Sequence, residues 1–231
     1  MKISVIIPVY NEERTIKEIT GKVMDIDIVD EIVIVDDFSK DDTMKILKTL
    51  PFKKVKIYSH DKNQGKGAAI RTGLKNATGD VVIFQDADLE YDPADYSKLV
   101  KPIKEGKADV VYGSRFLSRD SLFHCKKFFY LTHFVGNKFL NLMVWVLYGA
   151  KLTDMETCYK VIKKEMLNGI DLHARGFDIE PEITAKLLKK GVKIYEVPIS
   201  YVPRDYQEGK KISWRDGLRA LYVLIKHRIE R

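Results

Sequence analysis

A chain of 231 residues with 45% hydrophobic and 32% charged residues is long enough to bury a sizeable core, which excludes a disordered or low-complexity protein. Two cysteines, Cys125 and Cys158, exclude a disulfide scaffold, so the fold must hold by packing. The net charge of +7 is unevenly placed: residues 1–120 carry 20 Lys and Arg against 21 Asp and Glu, whereas residues 121–231 carry 20 against 12, so an anionic partner meets the second half.

In chain order, Ile3–Val9, Glu31–Asp36, Val55–Ser59, Asp80–Gln85 and Asp109–Gly113 are short, β-branched and nearly all apolar, the pattern of strands covered on both faces. Amphipathic stretches such as Glu12–Met24 and Asp42–Leu50 alternate with them. This predicts an α/β fold with a doubly wound, mainly parallel sheet flanked by helices, in which ligands bind at the carboxyl ends of the strands. Residues 1–231 read as a single domain of two halves, 1–115 and 116–231. Met1-Lys2-Ile3-Ser4 leads straight into the first strand without a signal-peptide layout, so the expected location is the cytoplasm.

Two stretches of the second half, about 122–149 and 213–229, read as helices. In the first, Lys126, Tyr130, His133, Asn137, Asn141 and Tyr148 fall on one narrow face and apolar residues fill the rest. Such a helix is either deeply buried or laid into a membrane interface, and Lys138 leaves its apolar run too short to span a bilayer. In the second, Trp214, Leu218, Leu221, Ile225 and Ile229 form a stripe flanked by Arg215, Arg219 and Lys226. Docking onto the core and burial in an interface both remain open for it. Any membrane attachment is peripheral or made through a membrane-protein partner.

The strand ends carry the chemistry. Pro8-Val9-Tyr10-Asn11-Glu12 follows the first, Val35-Asp36-Asp37-Phe38-Ser39 the second, and Asp86-Ala87-Asp88-Leu89-Glu90 the fourth. Carboxylates converging on one crevice repel one another, and a divalent cation or several hydrogen-bond donors must offset that repulsion. Asn63-Gln64-Gly65-Lys66-Gly67 is either a capped turn or a phosphate contact through its backbone N–H groups and Lys66.

Together with Arg71, Gly113-Ser114-Arg115, Thr153-Asp154-x-x-Thr157-Cys158-Tyr159-Lys160 and Gly176-Phe177-Asp178-Ile179-Glu180, these blocks resemble the GT-A glycosyltransferases of family 2, and among them the dolichol-phosphate mannose and glucose synthases. The resemblance implies base and ribose contacts from Pro8, Tyr10, Glu12, Val35 and Asp37. It implies a diphosphate-bound Mg²⁺ or Mn²⁺ on Asp86 and Asp88, with Glu90 completing the shell where many relatives carry an amide. Lys66, Ala87 and the distal cations Arg204 and Lys210 line the donor, and Asp88, Arg204 and Lys210 serve catalysis. Arg115, also catalytic, is the cation for an acceptor phosphate, assisted by Arg119. The implied reaction is an inverting transfer of a hexose from GDP-mannose or UDP-glucose to a polyprenyl (dolichyl) phosphate at the inner face of the cell membrane.

Two alternatives stand beside it. One is a soluble family 2 enzyme with a hydroxyl acceptor, using Asp154, Asp178, Glu180 or Glu182 as base. The other is a non-catalytic nucleotide or nucleic-acid binder. The acidic balance of residues 1–120 argues against nucleic acid, whose groove should be broadly basic.

Overall fold

The computed structural model describes residues 1–50, 53–117, 128–204 and 214–230, with backbone alone at 128–133 and 214. Its strands are β1 (Ile3–Val9), β2 (Glu31–Asp36), β3 (Val55–Ser59), β4 (Val81–Phe84), β5 (Val110–Ser114), β6 (Lys160–Lys163) and β7 (Ile194–Pro198). They form one sheet in the order β3-β2-β1-β4-β6-β5-β7. β6 runs antiparallel to both its neighbours, and the other pairings are parallel. Every residue of β1, β2, β4 and β5 is buried, whereas edge strands β3 and β7 are only partly so. Apolar strands sit where helices cover both faces, and mixed ones sit at the rims.

The helices are α1 (Ile16–Met24), α2 (Thr43–Leu47), α3 (Lys66–Asn76), α4 (Tyr96–Lys104), α5 (Phe128–Tyr148), α6 (Ile179–Lys189) and α7 (Trp214–Ile229). α1 starts at Ile16 rather than Glu12, because residues 12–15 turn first, with the Thr15 and Ile16 N–H groups both donating to Glu12 O. α3 packs tightly on β1: a Cβ at Gly73 would lie 2.3 Å from Ile6 Cγ2, so only glycine fits.

α5 is turned inside out relative to an ordinary surface helix. Its buried face carries Asn137, Leu140, Asn141 and Val144, while Val135, Phe139, Leu142, Trp145 and Val146 are exposed, Val146 by 64%. The Tyr148 hydroxyl donates to Leu224 O of α7 at 2.7 Å. On α7, Ala220, Val223, Leu224 and His227 face inward. Leu218, Tyr222, Ile225 and Ile229 face outward, Ile229 by 75%. The apolar stripe of α7 therefore points largely away from the core. Each of these two helices, which pack against one another, exposes several large apolar side chains. Among the described residues no helix is long and apolar enough to cross a membrane.

Candidate active site

Among the described residues three non-glycine residues have positive φ, namely Asn11 (53°), Phe38 (67°) and Leu89 (63°), and each follows the carboxyl end of a central strand. Such conformations cost about 1–3 kcal/mol apiece and persist where surrounding contacts over-determine them. Those contacts are present. The Asn11 N–H donates to Ser39 Oγ at 2.9 Å, and Asn11 Oδ1 accepts from the Lys40 N–H at 2.7 Å. The Asp37 N–H donates to Val9 O at 2.8 Å, which ties the β2 end to that of β1, where Pro8 pairs with Val35.

The Asp37 carboxylate is buried and fully engaged. It accepts from the N–H groups of Gln64 (2.9 Å) and Gly65 (2.7 Å) and meets His60 Nδ1 at 2.7 Å. The next N–H groups, of Gly67 and Ala68, donate to Arg175 O at 2.7 and 3.3 Å. A Cβ at Gly65 would lie 2.3 Å from Arg175 O and one at Gly67 2.5 Å from Ala174 O. The two glycines thus let the α3 start press against residues 174–176. The N–H groups of Gln64, Gly65, Gly67 and Ala68 are therefore engaged within the protein, and the side chain of Lys66 extends toward Asp86.

Lys66 Nζ lies 2.7 Å from Asp86 and 3.4 Å from Glu180, whose other oxygen pairs with the fully buried Lys160. Burial opposes the charge on Lys66, and Asp86 and Glu180 outweigh it, holding the ammonium protonated. The Asp88 carboxyl behaves oppositely. Burial, then the charges of Asp86 and Glu90, push it up to about 7, and Arg204 offsets only part of this.

Glu90 is turned toward the end of the chain. Its carboxylate accepts from the Arg204 N–H at 2.8 Å and the Tyr201 hydroxyl at 3.0 Å. Arg204 Nε donates to Asp88 O at 2.6 Å, and its Nη2 reaches Glu12 at 2.9 Å. Arg204 therefore straps the β4 end to the β1 end. Lys210, expected beside it, and Arg119 lie outside the described residues.

Among the described residues no three His, Cys, Asp or Glu side chains are gathered in metal-binding geometry. The pair Asp86 and Asp88 still suits a hard divalent cation: both are oxygen donors, and burial together with the charges of Asp86 and Glu90 holds the Asp88 carboxyl high. Glu90 would have to release Tyr201 and Arg204 to join them.

At the β5 end, Arg115 forms a two-pronged pair with Asp154, Nε and Nη2 each 2.7 Å from a carboxylate oxygen. Asp154 is fully buried and also accepts from the Arg115 N–H (3.0 Å) and from Asn137 of α5 (3.2 Å). Asn141, one turn along α5, donates to Thr153 O at 2.7 Å and accepts from the Met155 N–H at 2.9 Å. Glu196 of β7 accepts from the N–H groups of Thr153 and Asp154. The polar face of α5 is therefore the floor of the loop that holds Arg115. Sequence reasoning singled out Arg115 but missed Asn137, Asn141 and Glu196 as its supports. The only signal was two asparagines four apart in an apolar helix.

The carboxylates weighed as bases are all engaged. Asp154 holds Arg115, and Asp178 accepts from the Gly176 N–H and lies 3.0 Å from Arg219. Glu180 holds Lys160 and Lys66, and Glu182 accepts from the N–H groups of His173 and Ala174 and pairs with Lys186.

A mixed seven-stranded sheet with this strand-end site is the GT-A fold of nucleotide-sugar transferases. A solved structure of glucosyl-3-phosphoglycerate synthase from Mycobacterium tuberculosis, in complex with Mn²⁺, UDP and phosphoglyceric acid, superposes with a TM-score of 0.75 at 20% identity, over 100% of this chain and 79% of that one. The family model for Glycosyl transferase family 2 matches residues 4–170. The UDP-N-acetylglucosamine–dolichyl-phosphate N-acetylglucosaminyltransferase of Methanococcus voltae is 31% identical over 96% of this chain and 94% of its own length. The dolichol-phosphate mannosyltransferase of Pyrococcus furiosus is 33% identical over 98% of this chain and 64% of its own. The chain belongs to glycosyl transferase family 2, and it is related to dolichyl-phosphate sugar transferases.

Proposed function

We propose that this glycosyltransferase moves one sugar from a nucleoside-diphosphate donor to a polyprenyl phosphate at a membrane surface, as the names of its M. voltae and P. furiosus relatives suggest. The observation that carries this reading is the double role of α5. Its inner face supports the Arg115–Asp154 pair through Asn137, and its outer face offers apolar side chains to the surroundings. A substrate with an anionic head and a hydrocarbon tail matches both faces. Lys138 and Lys151 on the exposed side suit an anionic lipid surface.

In the proposed reaction an acceptor phosphate oxygen attacks the anomeric carbon as the bond to the diphosphate breaks. A phosphate monoester is largely dianionic at neutral pH, with a second pKa near ~6, and needs no base to activate it. Arg115, with its guanidinium fixed by Asp154, orients that dianion. Asp86 and Asp88 would hold a Mg²⁺ or Mn²⁺, which would supply positive charge against the leaving diphosphate. Lys66 sits beside Asp86 for the same diphosphate, and Arg204 closes the rim between Asp88 and Glu12. The occupied state of Asp154, Asp178, Glu180 and Glu182 speaks for a phosphate acceptor over a hydroxyl one.

The test is a donor panel of UDP-glucose, UDP-N-acetylglucosamine and GDP-mannose with Mn²⁺, with and without polyprenyl phosphate. The expected product is sugar label that partitions into organic solvent only when the lipid phosphate is present. Transfer to a soluble hydroxyl acceptor, unaffected by the lipid, would overturn the reading.

A further inference from the structure

Six buried side-chain polar atoms lack a hydrogen-bond partner among the described residues; leaving aside Glu180 Oε1, which faces Lys66 Nζ at 3.4 Å, three of them, on Asn137, Glu156 and Thr157, belong to the region around the 153–158 loop. Orphaned buried polar atoms are rare, and a cluster of them calls for partners from outside the chain, such as water, an ion or a ligand. Glu156 is the most exceptional. It is a carboxylate with its Oε1 shut off from solvent, and burial pushes it up to about 7 against the pull of nearby Lys160.

The loop that carries it is pinned on both sides. Glu196 holds the N–H groups of Thr153 and Asp154, and Asn141 holds that of Met155. Lys160 Nζ donates to the carbonyls of Met155 and Thr157, and the Tyr91 hydroxyl accepts from the Cys158 N–H at 3.2 Å. A fixed backbone presenting an unpaired acid is a preformed recognition element rather than a loop awaiting order. Its neighbours along the loop also place it. Asp154, two residues before it, holds Arg115 on the proposed acceptor side, and Lys160, bonded to the carbonyls of Met155 and Thr157 on either side of it, leads through Glu180 and Lys66 to Asp86 on the proposed donor side.

We infer, resting on the transfer reading above, that Glu156 binds hydroxyl groups of the sugar being transferred and so discriminates among donors. An acid between two anion-binding poles repels phosphates from the middle and leaves room there for a neutral ring rich in donors. A carboxylate can accept from two neighbouring hydroxyls at once, and each bond left unmade is costly for a buried acid. Thr157 Oγ1, the adjacent orphan, adds a group that can donate as well as accept.

The experiment compares nucleoside diphosphate with nucleoside diphosphate-sugar binding by calorimetry, with Mn²⁺, in the parent chain and in Glu156→Gln and Glu156→Ala. In the parent, the cognate sugar nucleotide binds more tightly than the bare diphosphate. In both variants affinity for the bare diphosphate stays within about twofold, and affinity for the sugar nucleotide falls about tenfold or more, as for loss of a hydrogen bond to a charged group. Gln keeps the shape of the side chain, so that variant separates recognition from folding. An unchanged ratio of the two affinities in Glu156→Gln overturns the inference and leaves the transfer reading intact. So does intact sugar-nucleotide binding with a collapsed kcat and loss of a pH-rate limb near ~7, because that result would make Glu156 a general base. A parent that binds no nucleotide overturns both.

Discussion

The donor side and the acceptor side of this molecule solve opposite problems. At the ends of β1, β2 and β4, carboxylates crowd together, and the chain offsets them with its own cations, Lys66 on Asp86 and Arg204 on Glu12, and with hydrogen bonds to Asp37 from the Gln64 and Gly65 N–H groups. At the end of β5, Asp154 serves a cation, holding Arg115 rigid above a helix whose outer face is apolar. The proposed transfer from an anionic donor to an anionic acceptor fits that polarity.

The largest predicted effect breaks the donor side. Asp88→Ala removes a proposed cation ligand, and transfer should fall by about 10³-fold or more in a lipid-supplemented assay. Retained activity would contradict the role. The next falls on the acceptor side. Arg115→Ala leaves Asp154 buried and unpaired, so urea unfolding should show a loss of about 3 kcal/mol. Arg115→Met combined with Asp154→Leu should recover much of that stability, yet the KM for polyprenyl phosphate should stay raised. Recovery of both would make the pair merely structural.

A third change sharpens the contrast without touching the site. Trp145 and Val146 face outward, so Trp145→Glu with Val146→Glu should shift stability by no more than about 0.5 kcal/mol. Sedimentation with anionic vesicles should nevertheless drop several-fold; undiminished sedimentation would remove the membrane role from α5.

The smallest effect concerns the scaffold beneath the donor side. Burial opposes ionisation of Glu31, but bonds from Lys56, Ser4 and the Thr78 N–H and hydroxyl outweigh it and lower its carboxyl to about 2. A carboxyl lower in the folded state than in the unfolded one stabilises above the unfolded pKa. Glu31 should therefore contribute about 2 kcal/mol above roughly pH 5, lost as pH falls toward 2. Glu31→Gln should flatten the acid limb of stability against pH.

The two sides also differ in how far the sequence discloses them. β1 and β2 have the bounds their apolar runs indicate, because strands covered on both faces leave no ambiguity of period, and the partly exposed edge β3 keeps its expected bounds as well. β6 and β7 escape that reading: β6 is four residues flanked by lysines, and β7 is a partly exposed edge. The strand-end acids were legible from their order along the chain. Their partners were not, since Arg204 meets Glu12 across 192 positions and Arg115 meets Asp154 across 39. Only tertiary contact creates those pairs. α5 had two readings from its pattern, and Asn137 and Asn141, turned inward onto the Thr153–Met155 loop, separate them.

The most direct test of the central claim is an anomalous-difference map from a crystal of this protein soaked with Mn²⁺ and a nucleoside diphosphate-sugar. The account predicts a manganese peak between the carboxylates of Asp86 and Asp88, touching the diphosphate, with Lys66 released from Asp86. A diphosphate bound elsewhere, with Lys66 still on Asp86 and no manganese beside Asp88, would contradict it.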